Sequence, residues 1–536
     1  MIVKIFGGPG CGKTYRLLEI FSEKLKTNKI DEICFTSFTR KARDVAKQRI
    51  KQTASYNSDN KCLDWVGTTH SICARLIGFD KTQALKPKHK KEICKEFGVE
   101  YVTINKNMQN ELEATFDQKE CIGNQLFDII NGSRLKMITL DEVFYEKVKN
   151  DSVDINIDLR LVKRFAEAYR KYKREHNLLD YTDMLEYVYV DKIVPPTRVL
   201  FVDEFQDLTP LQYEIYKIWS AASMEVYIAG DDDQALFRWA GASSDLFLDA
   251  PCDKIEILHK TYRLPPNILK LVQKLIVNVE RRQHKDIISS KRDDGKIIYF
   301  DLNFVSIDQI LDSLLDSNSI CMQFRTNYLV YSFSKELIGR GVAFTGSYSP
   351  WSEDIVNVNN ALEKIKKNNK LNYPEIRSII LNLPSKEFIR YGIKKEFKKK
   401  EGELELSFDE VKSSYFRLTE WDCTPTRLLK SITITDNQRD SISKKLILKP
   451  GLIDEINIYL TNIHKFKGDE RDVVVVFLSM TKKIADSIED NRGVFDDEIR
   501  TYYTAMTRPK KDLIIVKNYL NCENFQEVFF DDEIGR

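Results

Sequence analysis

The residues with the plainest chemical purpose open the chain: Gly7-Gly8-Pro9-Gly10-Cys11-Gly12-Lys13-Thr14, between the apolar run Met1–Phe6 and the helical pattern YRLLEIFSEKL. This is G-x-x-x-x-G-K-[ST] in a strand–loop–helix context. Glycines let successive backbone N–H groups turn inward around phosphate oxygens, and the start of the following helix adds positive potential. Lys13 is placed to reach the β and γ phosphates of a nucleotide, and the Thr14 hydroxyl to bind Mg²⁺. The bland alternative is a glycine-rich turn that holds nothing; the strand and helix flanks argue against it.

An acidic partner lies far downstream. Arg198-Val-Leu-Phe-Val202 is a β-rich run ending in Asp203-Glu204-Phe205-Gln206-Asp207. An Asp at a strand end can hold Mg²⁺, and the adjacent Glu204 can polarise an attacking water as general base. Strand ends often carry acids, so this pair alone is weak. With the glycine loop it specifies nucleotide hydrolysis, leaving ATPase and GTPase both open.

Further segments follow one another along the chain. They are Phe35-Thr-Ser-Phe-Thr-Arg-Lys-Ala42, Gly67-Thr-Thr-His-Ser71, Leu179-Asp-Tyr-Thr-Asp-Met-Leu185 and Gly230-Asp-Asp-Asp-Gln-Ala-Leu-Phe-Arg-Trp-Ala-Gly-Ala242. Thr261-Tyr-Arg263, Ile463-His-Lys-Phe-Lys-Gly-Asp-Glu470 and Tyr503-Thr-Ala-Met-Thr-Arg508 come next. With the glycine loop and the acidic strand, this series resembles the motifs of the UvrD/Rep branch of superfamily 1 helicases, in family order and over nearly the whole chain.

The resemblance implies roles for individual residues. Gln234 would sense the γ phosphate, and Arg263 and Arg508 would reach it as arginine fingers. Such fingers are worth roughly 10³–10⁵ in rate in other phosphoryl-transfer enzymes. A surface salt bridge is the bland reading of either arginine. Tyr262 would stack on the nucleotide base, and Glu470 would contact the ribose. Phe38 and Trp239 would stack on bases of single-stranded DNA, each stack worth roughly 1–3 kcal/mol; the alternative is that both are core aromatics. Thr69, His70 and His464 would touch phosphates, where sequence is not read, against structural histidines as the alternative. The implied cofactors are ATP and Mg²⁺. The implied partners are single-stranded DNA and single-strand/duplex junctions, with RNA open because stacking and phosphate contacts discriminate poorly.

Several elements must hold these groups. The glycine loop and the acidic strand are too far apart for one βαβ unit, so something is inserted between them. The expected fold is α/β, with two RecA-like P-loop cores built on parallel sheets, each carrying a mostly helical insertion. The first core is expected over 1–74 and 177–257, around a basic helical insertion at 75–176 that includes Lys86, Lys88, Lys90 and Lys91. The second is expected over 258–346 and 451–536, around an insertion at 347–450, shorter than the regulatory domain of the family. The run Lys394-Lys-Glu-Phe-Lys-Lys-Lys400 within it reads equally as a solvated helix face or a duplex-contacting patch.

Bulk properties are compatible with this architecture. A chain of 536 residues exceeds one hydrophobic core. Lys plus Arg is 83 and Asp plus Glu is 81, a formal net charge of +2, which neither demands nor excludes nucleic acid. The longest apolar run, Val473–Leu478, suits a buried strand and falls far short of the roughly eighteen residues of a membrane span. The chain's 10 cysteines form no C-x-x-C pair, and the start runs straight into the glycine loop. Neither a disulfide framework, a zinc site nor a signal peptide is expected, and a cytoplasmic location is.

Three departures from the family stand out. The family's adenine-reading glutamine motif precedes the glycine loop, and this sequence has none there; stacking by Tyr262 would then accept guanine as well as adenine, and GTP is expected to support turnover within about tenfold of ATP. Asn462 stands where Thr or Ser is usual, and Ala240 where Arg is common. The functional expectation is a DNA helicase moving 3′ to 5′, the direction resting on resemblance alone. The alternatives are a single-strand translocase that strips proteins with little unwinding, and a noncatalytic DNA-binding subunit, against which the intact Lys13, Asp203, Glu204, Gln234, Arg263 and Arg508 argue.

Overall fold

The computed structural model describes residues 1–37, 47, 64–102, 121–149, 153–238, 241–315, 317, 319–340, 342–350, 353–398, 404–417, 424–433, 438, 442 and 457–525. Two compact units divide the chain. One takes its described residues from Met1–Asn105, Phe116–Asp312 and Ile463–Arg536, the other from Ser313–Asn462.

The first unit is built on β1 (Ile2–Gly7), β2 (Ile33–Ser37), β3 (Val66–Thr68), β4 (Val199–Asp203), β5 (Glu225–Gly230) and β6 (Lys254–Leu258). They form one sheet in the order β3-β2-β4-β5-β1-β6, and its strands pair in parallel. A parallel sheet covered on both faces needs strands apolar on both sides, and VLFVD in β4 is buried at every position. Alternate residues serve the two faces. Phe6, Leu200, Val202 and Ile228 pack with Leu185, Trp219 and Phe247. Val3, Ile5, Phe35, Phe201 and Ala229 pack with Leu17 and Phe21 of α1 (Lys13–Lys24). Because all these strands run the same way, Gly7, Ser37, Thr68, Asp203 and Gly230 end along one edge, where α/β sheets bind ligands.

After β3, helix α2 (Thr69–Leu76) leads into a helical region: α3 (Pro87–Glu96), α4 (Ile122–Lys136), α5 (Leu140–Lys149), α6 (Leu159–Glu175) and α7 (Tyr181–Val190). Helix α6 buries Val162, Phe165, Ala166, Tyr169 and Tyr172, the stripe expected of period 3.6. The segment Leu179–Leu185 finds its use here. Asp180 caps α7 and, with Asp183, ties the helices together. Arg134 of α4 donates to Asp180, Asp183 and Glu186; Lys173 of α6 donates to Asp180 and Asp183 at 2.7 Å.

The same unit continues with α8 (Pro266–Ile276) and β7 (Ile297–Asp301). The second unit contains a parallel set of β8 (Ile320–Phe324), β9 (Thr345–Gly346) and β10 (Ile458–Asn462), with β10 central. Between β9 and β10 lies a mostly helical region whose core includes Val358, Leu362, Ile376, Ile379 and Leu428. In its lysine run, Lys394 donates to the Leu381 carbonyl at 2.8 Å; Lys395 and Lys398 are exposed, and Lys399 and Lys400 lie outside the described residues.

Back in the first unit lie β11 (Arg471–Phe477), α9 (Arg492–Met506) and β12 (Pro509–Lys517). β12 pairs in parallel with both β11 and β7. Val473–Phe477 are all buried, as the apolar run requires. The fold class is the expected α/β arrangement of parallel sheets with helical insertions. Among the described residues, no helix is long and apolar enough to cross a membrane.

Candidate nucleotide and nucleic-acid site

The glycine loop turns from β1 into α1 with Gly10 and Gly12 at φ 70° and 80°, the left-handed region that favours glycine. At Gly10 the space is closed as well. A Cβ there would lie 2.5 Å from the Arg263 Cβ and 2.9 Å from the Thr261 hydroxyl. The Thr261–Arg263 segment is laid on the loop by two bonds, Thr261 Oγ1 to the Pro9 carbonyl at 2.7 Å and the Tyr262 N–H to the Gly10 carbonyl at 3.0 Å. Lys13 Nζ donates to the Gly7 and Gly8 carbonyls at 2.8 and 3.3 Å, so the ammonium arches over the loop.

Thr14 Oγ1 donates to Asp203 Oδ2 at 2.7 Å. Two hard oxygens so placed suit Mg²⁺, which takes few protein ligands and leaves its other positions to water and phosphate. Burial, then the neighbouring Glu204 carboxylate, push Asp203 above its ordinary range. Glu204 has φ 54°. Burial would raise it too, but Lys467 and Lys13, with Gln206 and Arg508, outweigh burial and hold it below the usual carboxylate range.

The third motif meets this centre from β5. Gln234 is buried and donates Nε2 to Asp231, while its Oε1 accepts from Arg508 Nη2. Arg508 is 3% exposed and also donates Nε to the Thr504 carbonyl at 2.8 Å. Burial, then the nearby Arg263 cation, lower its pKa; a guanidinium nonetheless keeps its proton in a protein. Arg263 Nε donates to Glu470 Oε2 at 2.6 Å. Burial opposes ionisation of Glu470, but Arg263 and then Lys510 prevail and bring it down to about 2. Tyr262 is 63% exposed, leaving its ring open to a stacking partner.

The structure therefore brings together Lys13, Thr14, Asp203, Glu204, Gln234, Arg263, Arg508, Tyr262 and Glu470, with Glu470 engaged by Arg263 and Lys510. Of the proposed DNA contacts, Thr69 is buried and shares a hydrogen bond with Thr36 Oγ1 at 3.0 Å. His70 stands in the first turn of α2, edge-on to the exposed ring of Tyr181 at 6.3 Å, and burial lowers its pKa. His464 lies in the short turn after β10 and is partly exposed. Phe38, Trp239 and Ala240 lie outside the described residues.

Sequence reading missed several participants. Lys467 donates to both Asp207 oxygens at 2.6 Å and to the Gln234 carbonyl at 2.6 Å. It sat in plain view within the fifth segment, but nothing in the spacing says which carboxylate it meets. Asp231, Asp232 and Asp233 converge closely enough to suggest a metal cluster. Their centre is taken instead by the Lys285 ammonium, at 3.3, 2.5 and 3.0 Å, with Arg282 on Asp233 at 2.6 Å. No local signal marks Lys285 or Arg282; a run of three buried acids with no adjacent base was the one hint that cations arrive from elsewhere.

Residues 2–254 match the UvrD/REP helicase N-terminal domain, and residues 347–519 the UvrD-like helicase C-terminal domain. The chain is 26% identical over 380 residues to a probable DNA helicase II homolog of Mycoplasma capricolum, covering 64% of this chain and 49% of that protein. It is 26% identical over 364 residues to the ATP-dependent DNA helicase Rep of Buchnera aphidicola, covering 62% and 51%. It is 23% identical over 317 residues to the ATP-dependent DNA helicase PcrA of Bacillus subtilis, covering 55% and 40%. The chain thus matches about half or less of the length of these relatives.

Proposed function

The chain belongs to the UvrD/Rep-like helicase family, and from that premise we propose that it is an ATP-driven motor that moves 3′ to 5′ along single-stranded DNA and unwinds duplex. The observation that carries the reading is the contact of Arg508 with Gln234. It joins the end of the last family segment to the third, beside the glycine loop and the acidic strand. A site that completes itself from such distant segments can be opened and closed, which a stepping motor needs.

In this reading Lys13 leaves the Gly7 and Gly8 carbonyls for the nucleotide's phosphates, and Tyr262 stacks on the base. Thr14 and Asp203 hold Mg²⁺, which neutralises phosphate charge when bound. Gln206 occupies one oxygen of Glu204; the other takes the proton of the attacking water. Arg508 and Arg263 supply positive charge where negative charge develops, Gln234 passes the state of that charge to the third motif, and Glu470 lies on the ribose side. Phe38 and Trp239 stack on bases, and Thr69, His70 and His464 contact phosphates. The two RecA-like cores take the ranges 1–74 with 177–257 and 258–346 with 451–536; the ranges 75–176 and 347–450 are their insertions.

Strand separation on duplexes carrying either a 3′ or a 5′ single-stranded tail tests the proposal. Unwinding that needs ATP and a 3′ tail is expected. Unwinding only from 5′ tails would reverse the direction, and ATP-driven translocation without unwinding would make the chain a translocase.

A further inference from the structure

Gln206 is fully buried between the acidic strand and the third motif. Its Nε2 donates to Glu204 Oε2 at 2.6 Å and, more weakly, to Asp207 Oδ2 at 3.3 Å. Its Oε1 accepts from the Asp231 N–H at 2.9 Å. The orientation of the amide follows from its partners, since a backbone N–H can only donate and an ionised carboxylate can only accept. A side-chain amide offers a donor and an acceptor on one rigid plane, so it can bridge the two; a carboxylate or an ammonium cannot.

The surroundings are shaped around this bridge. A Cβ at Gly230 would stand 2.6 Å from Gln206 Oε1 and 2.9 Å from the Phe247 ring. A side chain there would displace the amide from the Asp231 backbone. At the other end, Glu204 has φ 54°. A non-glycine residue persists in that region where neighbouring contacts over-determine it. The Gln206 amide is such a contact, and it acts on the carboxylate itself.

We propose that Gln206 is a positioning residue, which aims the Glu204 carboxylate and ties it to the start of the third motif. Asp231 is also the acceptor for Gln234, and Gln234 is the acceptor for Arg508. Asp231 is thus held at its backbone N–H by the group that aims Glu204 and at its carboxylate by the group that meets the arginine. Withdrawal of Arg508 shifts Asp231 and, through Gln206, turns Glu204 away. Hydrolysis is in this way confined to the closed arrangement. The inference rests on Glu204 being the general base.

Three variants of the full chain test it: Gln206→Met, Glu204→Gln and the two combined, with kcat and KM for ATP measured in the presence of single-stranded DNA. A displacement of about 1 Å at a reacting group can cost on the order of 10²-fold. Gln206→Met is therefore expected to lower kcat by about tenfold to a hundredfold, with KM within about twofold. Because Gln206 acts through Glu204, the double variant should be no slower than Glu204→Gln alone. Should Gln206→Met fail to fold, Gln206→Asn keeps a neutral amide one methylene too short to span Glu204 and Asp231; it should fold and be slow to the same degree. Losses that multiply in the double variant, or a raised KM with unchanged kcat, overturn the positioning role alone. An unimpaired Glu204→Gln overturns the base assignment and the positioning role with it.

Discussion

Arg508 donates its guanidinium to the side-chain carbonyl of Gln234, a residue 274 positions earlier in the chain, and both are buried. Lys467 reaches the same residue through the backbone, at the Gln234 carbonyl, and binds Asp207 with its remaining donors. Two cations from the last family segments thus close on two motifs of the first sheet.

Replacing Arg508 by Ala should leave nucleotide binding measurable while lowering ATP turnover by roughly 10³–10⁵, the range for arginine fingers. Arg508→Lys should rescue little, because an ammonium cannot reproduce the planar fork that serves Gln234, Thr504 and a phosphate together. Turnover within a few-fold of the unaltered chain would show that Arg508 is a structural buried cation.

Glu204→Gln should bind ATP and Mg²⁺ yet hydrolyse slowly, by about 10²–10⁴, since an amide keeps the shape but cannot accept the water's proton. Rapid-quench measurement of a single turnover separates this step from product release. A change below a few-fold would mean that another group takes the proton.

How much of this was legible in the residues themselves depended on how local the physics is. The glycine loop shows in sequence because backbone phosphate binding demands glycines at contiguous positions, with Lys13 and Thr14 next in line. Strand β4 shows because Val199–Val202 must be apolar on both faces. Lys285 did not show. It meets Asp232 across 53 positions, and nothing near it differs from an ordinary surface lysine until the fold places it there. The pairing of Asp231–Asp233 was hidden for the same reason: the acids are contiguous and their counter-charge is not. Asp180 and Asp183 were visible as part of a family segment, but their work, binding Arg134 and Lys173, needs helices that only tertiary structure brings together.

Lys285→Met should be among the most destabilising single changes in the first unit. It leaves buried Asp231 and Asp232 without their counter-charge, Asp233 keeping Arg282, and removal of one partner from a buried ionic group costs about 3–5 kcal/mol. Burial opposes the Lys285 charge, but Asp233, Asp231 and Asp232 together raise its pKa. Adding Asp232→Asn to Lys285→Met should recover part of the loss, a coupling that a double-mutant cycle in urea measures. A loss below about 1 kcal/mol would mean that water reaches the cluster and screens it.

Binding of single-stranded DNA should weaken steeply with salt and depend little on base sequence, because phosphate contacts and stacking supply the affinity. Fluorescence anisotropy over a salt series on several oligonucleotides checks this. A tight preference for one short sequence would mark a site-specific binder and not a motor.

In the proposed function the glycine loop, the acidic strand and the third-motif segment form one ATP-hydrolysing centre answering to nucleic acid. The most direct test is ATP turnover of the unaltered chain and of Lys13→Ala, each with and without single-stranded DNA, alongside DNA binding by both. Turnover should rise with DNA in the unaltered chain and fall to background in Lys13→Ala, with DNA binding retained in both. Turnover that is indifferent to DNA, or that survives in Lys13→Ala, would contradict it.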